Sequence, residues 1–243
     1  MSFCEVHRYS NLLGKHVGLN ILLPNEGQPP FATLYLLHGL SDDYTGWMRR
    51  SRIEPYAGTL PLIIVMPDGY RGFYTNTASG VPYARYIAEE TVDFVDRNFP
   101  AKASRGHRGI GGLSMGGYGA LRLALAYPDR FISAHSHSGA LMHGTRRPTE
   151  TALWEYDQVF GTHPQGSDHD LLRLTQNTRD RKLLPKIRID CGTEDGLLND
   201  NRDFHAALTS LGVPHEYEEF PGEHNWDYWD LHIRTALSFH LKT

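Results

Sequence analysis

The chain has 243 residues, 40% hydrophobic and 21% charged, which is ordinary globular usage and enough for one large α/β domain or two small ones. A formal charge of −4 and the absence of any Lys/Arg run argue against nucleic acid and anionic membranes as partners. Cys4 and Cys191 are too few and too distant for a disulfide framework or a structural zinc site, and no apolar stretch is long enough to span a bilayer. The opening "MSFCEVHRYSN" lacks the basic head and apolar run of a secretory signal, so a cytoplasmic, reducing setting is expected.

In chain order, "VGLNILLP" (17–24) and "ATLYLLHG" (32–39) predict strands, with "NEGQPP" (25–30) between them as a hairpin-like surface connection. "LPLIIVMPDG" (60–69) is a third apolar run closed by Pro and Gly, and "YARYIAEETVDFVDRNF" (83–99) repeats apolar residues at helical spacing. "HRGIGGLS" (107–114) predicts a strand that hands over to a helix at 115–127, and "FISAHSHSG" (131–139) follows as another strand. Residues 141–185 break the rhythm with Thr, Arg, Gln, Asp and His; with "ALWEYDQVFG" (152–161) as an amphipathic island, they read as a cap-like insertion. "KIRIDCG" (186–192) is a strand, and 199–212 a helix with Asn199 or Asp200 as N-cap and Gly212 as stop. The more polar "HEYEEFPG" (215–222) suits a sheet edge. This order implies a single α/β domain over 1–243, a largely parallel sheet with helices on both faces.

Glycine clusters on both sides of Ser114, where a strand meets a helix, at a cost to both elements. Gly112-Leu-Ser114-Met-Gly116 is the G-x-S-x-G pattern of a nucleophile elbow, a strained turn that lifts the hydroxyl above the sheet. A serine hydroxyl needs a base within reach and donors for the developing oxyanion. On this fold the acid and the base follow the serine in chain order, each on a loop after a strand. Asp195 follows "KIRIDCG" and His224 follows "HEYEEF", which supplies that order; Glu194 is a competing acid, whereas Asp190 lies inside a strand. The oxyanion donors expected are the amide of Met115, at a helix N-terminus, and that of Leu40, after Gly39 in "LLHGLSDD". His135 and His137 share one strand face but have no third metal ligand at suitable spacing, and read as satisfied polar residues near the sheet edge.

The blocks "LYLLHGLSDDYTGW", "IIVMPDGYRGFYTN", "GGLSMGGYGALRLAL", "CGTEDGLL" and "PGEHNWDYW" resemble the esterase-D-like α/β-hydrolases, above all the short bacterial tributyrin esterases. The likeness runs from about Val6 to Leu241 and extends to feruloyl esterases, S-formylglutathione hydrolases and mycolyltransferases. It implies an eight-stranded, mostly parallel α/β-hydrolase sheet, with Ser114 as nucleophile, Asp195 as acid, His224 as base, and the Leu40 and Met115 amides as oxyanion hole. The implied activity is serine carboxylester hydrolysis of short acyl or aryl esters, without metal or cofactor; acyl transfer or thioester hydrolysis on the same triad is the alternative. The cysteine that S-formylglutathione hydrolases usually carry after H-G-L is absent from "SDDYTGW". Trp47, Tyr70, Phe73, Tyr74, Trp154, Tyr156 and Trp226 are the aromatic candidates for the pocket wall. The expected partner is a small-molecule ester, and a homo-oligomer is compatible with this reading.

Overall fold

The computed structural model describes residues 1–148, 155–178 and 180–242. Among them, eight strands form one sheet: β1 (Ser2–Ser10), β2 (Lys15–Leu23), β3 (Ala32–Leu37), β4 (Leu62–Pro67), β5 (Arg108–Leu113), β6 (Ser133–His137), β7 (Lys186–Gly192) and β8 (His215–Phe220). The spatial order is β1-β2-β4-β3-β5-β6-β7-β8. β3 to β8 run parallel to one another, while β2 is antiparallel to both β1 and β4. The sheet is therefore mostly parallel, in an α/β-hydrolase arrangement.

Period-two alternation sets the layers. In β3, Tyr35 and Leu37 enter one hydrophobic cluster and Leu34 and Leu36 a second; in β4, Ile63 and Val65 oppose Ile64 and Met66 in the same way. The helices are α1 (Gly46–Arg50), α2 (Ile53–Ala57), α3 (Tyr83–Arg85), α4 (Val92–Asn98), α5 (Met115–Ala126), α6 (Tyr156–Phe160), α7 (Leu171–Asn177), α8 (Leu198–Ser210) and α9 (Trp226–Leu241). A π-helical stretch, Tyr86–Thr91, joins α3 to α4, so the predicted helix over 83–99 is one continuous run. That run covers the first cluster together with α5 and α8, and Trp47 of α1, Ile53 of α2 and Ile233 of α9 cover the second.

Two expectations need revision, and β1 and α9 have no counterpart among the predicted elements. The stretch 25–30 is exposed, but it is not a hairpin, because β4 lies between the strands it joins. β1 has no counterpart among the predicted strands because Glu5 and His7 point to solvent and Arg8 interrupts the inner face that Cys4 and Val6 begin, which leaves no apolar run. α9 was missed too, although Asn225 caps it through a bond from Tyr228 N–H and Trp226, Trp229, Ile233 and Leu237 recur at helical spacing. His135 and His137 are fully buried on β6, an interior strand, rather than near the sheet edge. Across residues 141–185, the described part supplies α6 and α7, and Tyr156, Phe160 and Leu171 enter the first cluster.

Candidate active site

The turn between β5 and α5 places Ser114 at φ 54° and ψ −116°, a strained backbone for a non-glycine residue. The surrounding structure holds it there. Ser114 N–H donates to His137 O at 2.9 Å, and Ser114 O accepts from Tyr118 and Ala140, each at 3.1 Å. Strand and helix meet so closely that a Cβ on Gly112 would lie 2.6 Å from Leu37 O, and one on Gly116 2.6 Å from Leu37 O and 2.7 Å from His38 O. These are backbone atoms that cannot swing away, so both positions require glycine.

Ser114 Oγ lies 2.9 Å from His224 Nε2, and His224 Nδ1 lies 2.9 Å from Asp195 Oδ2 and 3.1 Å from Oδ1. Three loops at the carboxyl ends of β5, β7 and β8 thus converge. Asp195 is buried, and burial alone would raise its carboxyl; the bond from His224, that histidine's charge and the Leu197 N–H outweigh this and hold it below the usual range. The competing acids are engaged elsewhere. Asp190 pairs with buried His137 at 2.8 Å and accepts from Tyr228 Oη at 3.0 Å. Glu194 accepts from Gly222 N–H at 2.6 Å while its own N–H donates to Gly222 O at 3.0 Å, tying the loop of the acid to the loop of the base.

His38 was not singled out from sequence, and its surroundings give it a role. It is buried, and its Nε2 accepts from Gly69 N–H at 2.9 Å. The ring proton therefore sits on Nδ1, which donates to Gly39 O at 2.7 Å. In a trans peptide the C=O and the next N–H point in opposite directions, so this bond turns the Leu40 N–H away from His38. Among the described residues, neither the Leu40 nor the Met115 N–H has an intramolecular acceptor. Gly39 sits against the nucleophile: a Cβ there would be 2.7 Å from Leu113 Cδ1 and 3.8 Å from Ser114 Cβ.

A cavity of about 550 Å³ opens from Leu40 and is lined by Asp42, Asp68, Tyr70, Arg71, Glu155 and Val159 among others. Of the aromatic candidates, Tyr70 lines it. Trp47, Phe73, Tyr74 and Tyr156 are instead core residues, no more than 2% exposed; the Trp47 indole donates to Leu37 O at 3.0 Å and the Tyr74 hydroxyl to His38 O at 3.0 Å. Trp226 packs edge-on against Trp47, with ring centroids 5.2 Å apart, and Trp154 lies outside the described residues. A larger cavity, about 780 Å³ between α2 and α9, contains none of the groups around Ser114. Among the described residues no cluster of three or more His, Cys, Asp or Glu could hold a metal ion, and no helix is long and apolar enough to cross a membrane.

Comparison with known proteins bears on this geometry. A family described as putative esterase matches residues 10–240. The acetyl esterase of Caldicellulosiruptor saccharolyticus is 31% identical, over 100% of this chain and 99% of its own. Two solved Staphylococcus aureus structures, the fluorophosphonate-binding serine hydrolase FphF and the S-formylglutathione hydrolase FrmB, are each 33% identical over 98% of both chains, with TM-scores of 0.90 and 0.89.

Proposed function

The chain belongs to this esterase family of α/β-hydrolases and is a carboxylic ester hydrolase, and from that premise we propose that Ser114, His224 and Asp195 are its catalytic triad. The observation that carries the proposal is the unbroken chain of contacts, 2.9 Å from Ser114 Oγ to His224 Nε2 and 2.9 Å from Nδ1 to Asp195. His224 removes the Ser114 proton as Oγ attacks the ester carbonyl. Asp195 holds the imidazole in the Nδ1–H tautomer and stabilises the imidazolium without itself taking the proton. The Leu40 and Met115 amides bind the tetrahedral oxyanion, each contributing about 3 kcal/mol, and the α5 N-terminus adds its dipole. His224 then protonates the departing alcohol, and water releases the acid from the acyl-enzyme.

The substrate is a short acyl or small aryl ester; a cavity of about 550 Å³ opening at Leu40 has room for one half of it, and Glu155 and Val159 of the 141–185 segment line that cavity as a cap would. Thioester hydrolysis on the same triad is the second reading, favoured by the likeness to FrmB. A series of nitrophenyl esters of increasing acyl length, with S-formylglutathione alongside, decides between them. Ser114→Ala is expected to lower turnover by about 10⁴-fold or more and to abolish covalent labelling by a fluorophosphonate, with the fold retained. Near-normal ester cleavage by that variant rules the triad out.

A further inference from the structure

We propose that the cleft that opens at Leu40 selects esters by the charge of the alcohol half, taking neutral and cationic alcohols and rejecting anionic ones, with Asp42 and Asp68 as the determining residues. The inference rests on the reading of Ser114 as nucleophile. Four carboxylates, Asp42, Asp43, Asp68 and Glu155, line the one described cavity that begins at Leu40. The cations around it are engaged. Arg71 is bonded to Glu155 and reaches Leu40 O at 3.4 Å, Arg49 lies 3.6 Å from Asp43, and Lys15 Nζ sits 4.3 Å from the centroid of the Tyr70 ring. Even with all three counted, the carboxylates leave the lining negative.

The surplus falls on two side chains. The Asp42 carboxylate has no hydrogen-bond or ion-pair partner among the described residues. Among the described residues the Asp68 carboxylate, on a residue 8% exposed, accepts only from Tyr70 N–H at 2.8 Å, and it lies 3.4 Å from His38 Nε2. That nitrogen already accepts from Gly69 N–H, so the ring is neutral and offers Asp68 no charge. Glu155 adds a second sign of unmet demand: the residue is 6% exposed, Oε1 holds Arg71, and Oε2 is buried without a partner. Carboxylates partly withdrawn from water and left uncompensated attract a ligand cation and repel a ligand anion. A leaving group that enters past Leu40 meets that field before its carbonyl reaches Ser114. A glutathione thioester, anionic in net, meets it unfavourably.

The test compares kcat/KM for three acetate esters that share one acyl group: 3,3-dimethylbutyl acetate (neutral), acetylcholine (its cationic counterpart) and 3-acetoxypropane-1-sulfonate (anionic). The expected order is cation, neutral, anion, with about tenfold between the extremes or more at low salt, narrowing in 0.5 M NaCl as screening shortens. Asp42→Asn and Asp68→Asn should each shrink the cation-to-anion ratio at least threefold, and the ratio is read within one variant so that altered folding or expression cancels. A ratio within twofold of unity in the wild-type enzyme, or one unmoved in both variants, overturns the inference. The neutral ester keeps the two readings apart: if it is not cleaved, or is cleaved equally by Ser114→Ala, the nucleophile assignment has failed instead.

Discussion

His38→Ala removes a side chain that grips the peptide carrying a proposed oxyanion donor. With Nδ1–H gone, Gly39 O loses its 2.7 Å bond and keeps the longer one from Asp42 N–H at 3.2 Å, so the Gly39–Leu40 peptide is held less firmly with its N–H at the position the oxyanion occupies. The interaction at stake arises only in the tetrahedral state, so the loss should fall on kcat and leave KM nearly unchanged. Removal of one oxyanion donor costs about 10²- to 10³-fold in kcat. His38→Asn places an N–H donor near the Nδ1 position and should recover at least about tenfold, although it abandons Gly69 N–H. Steady-state kinetics on a nitrophenyl acetate, normalised by titration of active sites with a fluorophosphonate, separates this effect from the stability that a buried truncation also removes. If the alanine variant keeps kcat within threefold of wild type per titrated site, the Leu40 amide does not serve as an oxyanion donor positioned by His38.

Two further outcomes follow from other contacts. Glu194→Ala unfastens the strap from Glu194 Oε2 to Gly222 N–H, lets the base loop drift and should lower kcat about tenfold, whereas Glu194→Gln should retain most activity; equal rates in the alanine variant and wild type refute the positioning role. Stability should fall on acidification because His135 and His240, 2.7 Å apart in the core, are held neutral: burial, then neighbouring His137, pushes His240 down to about 3 from 6.5, and burial drives His135 well down too. Below pH 6.5 the unfolded chain binds these protons and the folded chain does not, so stability is full above that pH and is lost progressively towards the folded value. Between pH 7 and 5, His240 accounts for about 2 kcal/mol, at about 1.4 kcal/mol for each unit below 6.5. Urea unfolding of His240→Gln should therefore show a pH-induced loss smaller than wild type by about that amount, and an identical loss would contradict the assignment.

The order of the central strands and the glycine pattern around Ser114 were legible because local chemistry enforces both. Gly112 and Gly116 are demanded by backbone atoms that any Cβ would strike, so the elbow is written in the motif itself. β3 and β4 are almost wholly apolar on both faces, a composition that marks a buried strand. Glu194 and Asp195 are neighbours on one loop, and only the folded loops show that the glutamate accepts from Gly222 N–H while the aspartate meets His224 Nδ1. The aromatics were the least readable group: Trp47, Phe73 and Tyr74 differ from Tyr70 in where they point, and residue type carries no record of that.

Sequence alone determined the βα turn that strains Ser114, the alternation that buries the sheet, and the succession of Ser114, Asp195 and His224 along the chain. Each depends on residues adjacent in the chain or on their order. The tertiary structure decided the neutral state of His38 and the direction of the Leu40 N–H, the pairing of Glu194 with Gly222, the burial of His135 against His240, and the surplus charge on Asp42 and Asp68. Those properties belong to groups brought together from distant parts of the chain, and a titratable group's charge or a peptide's orientation is set by what surrounds it in space.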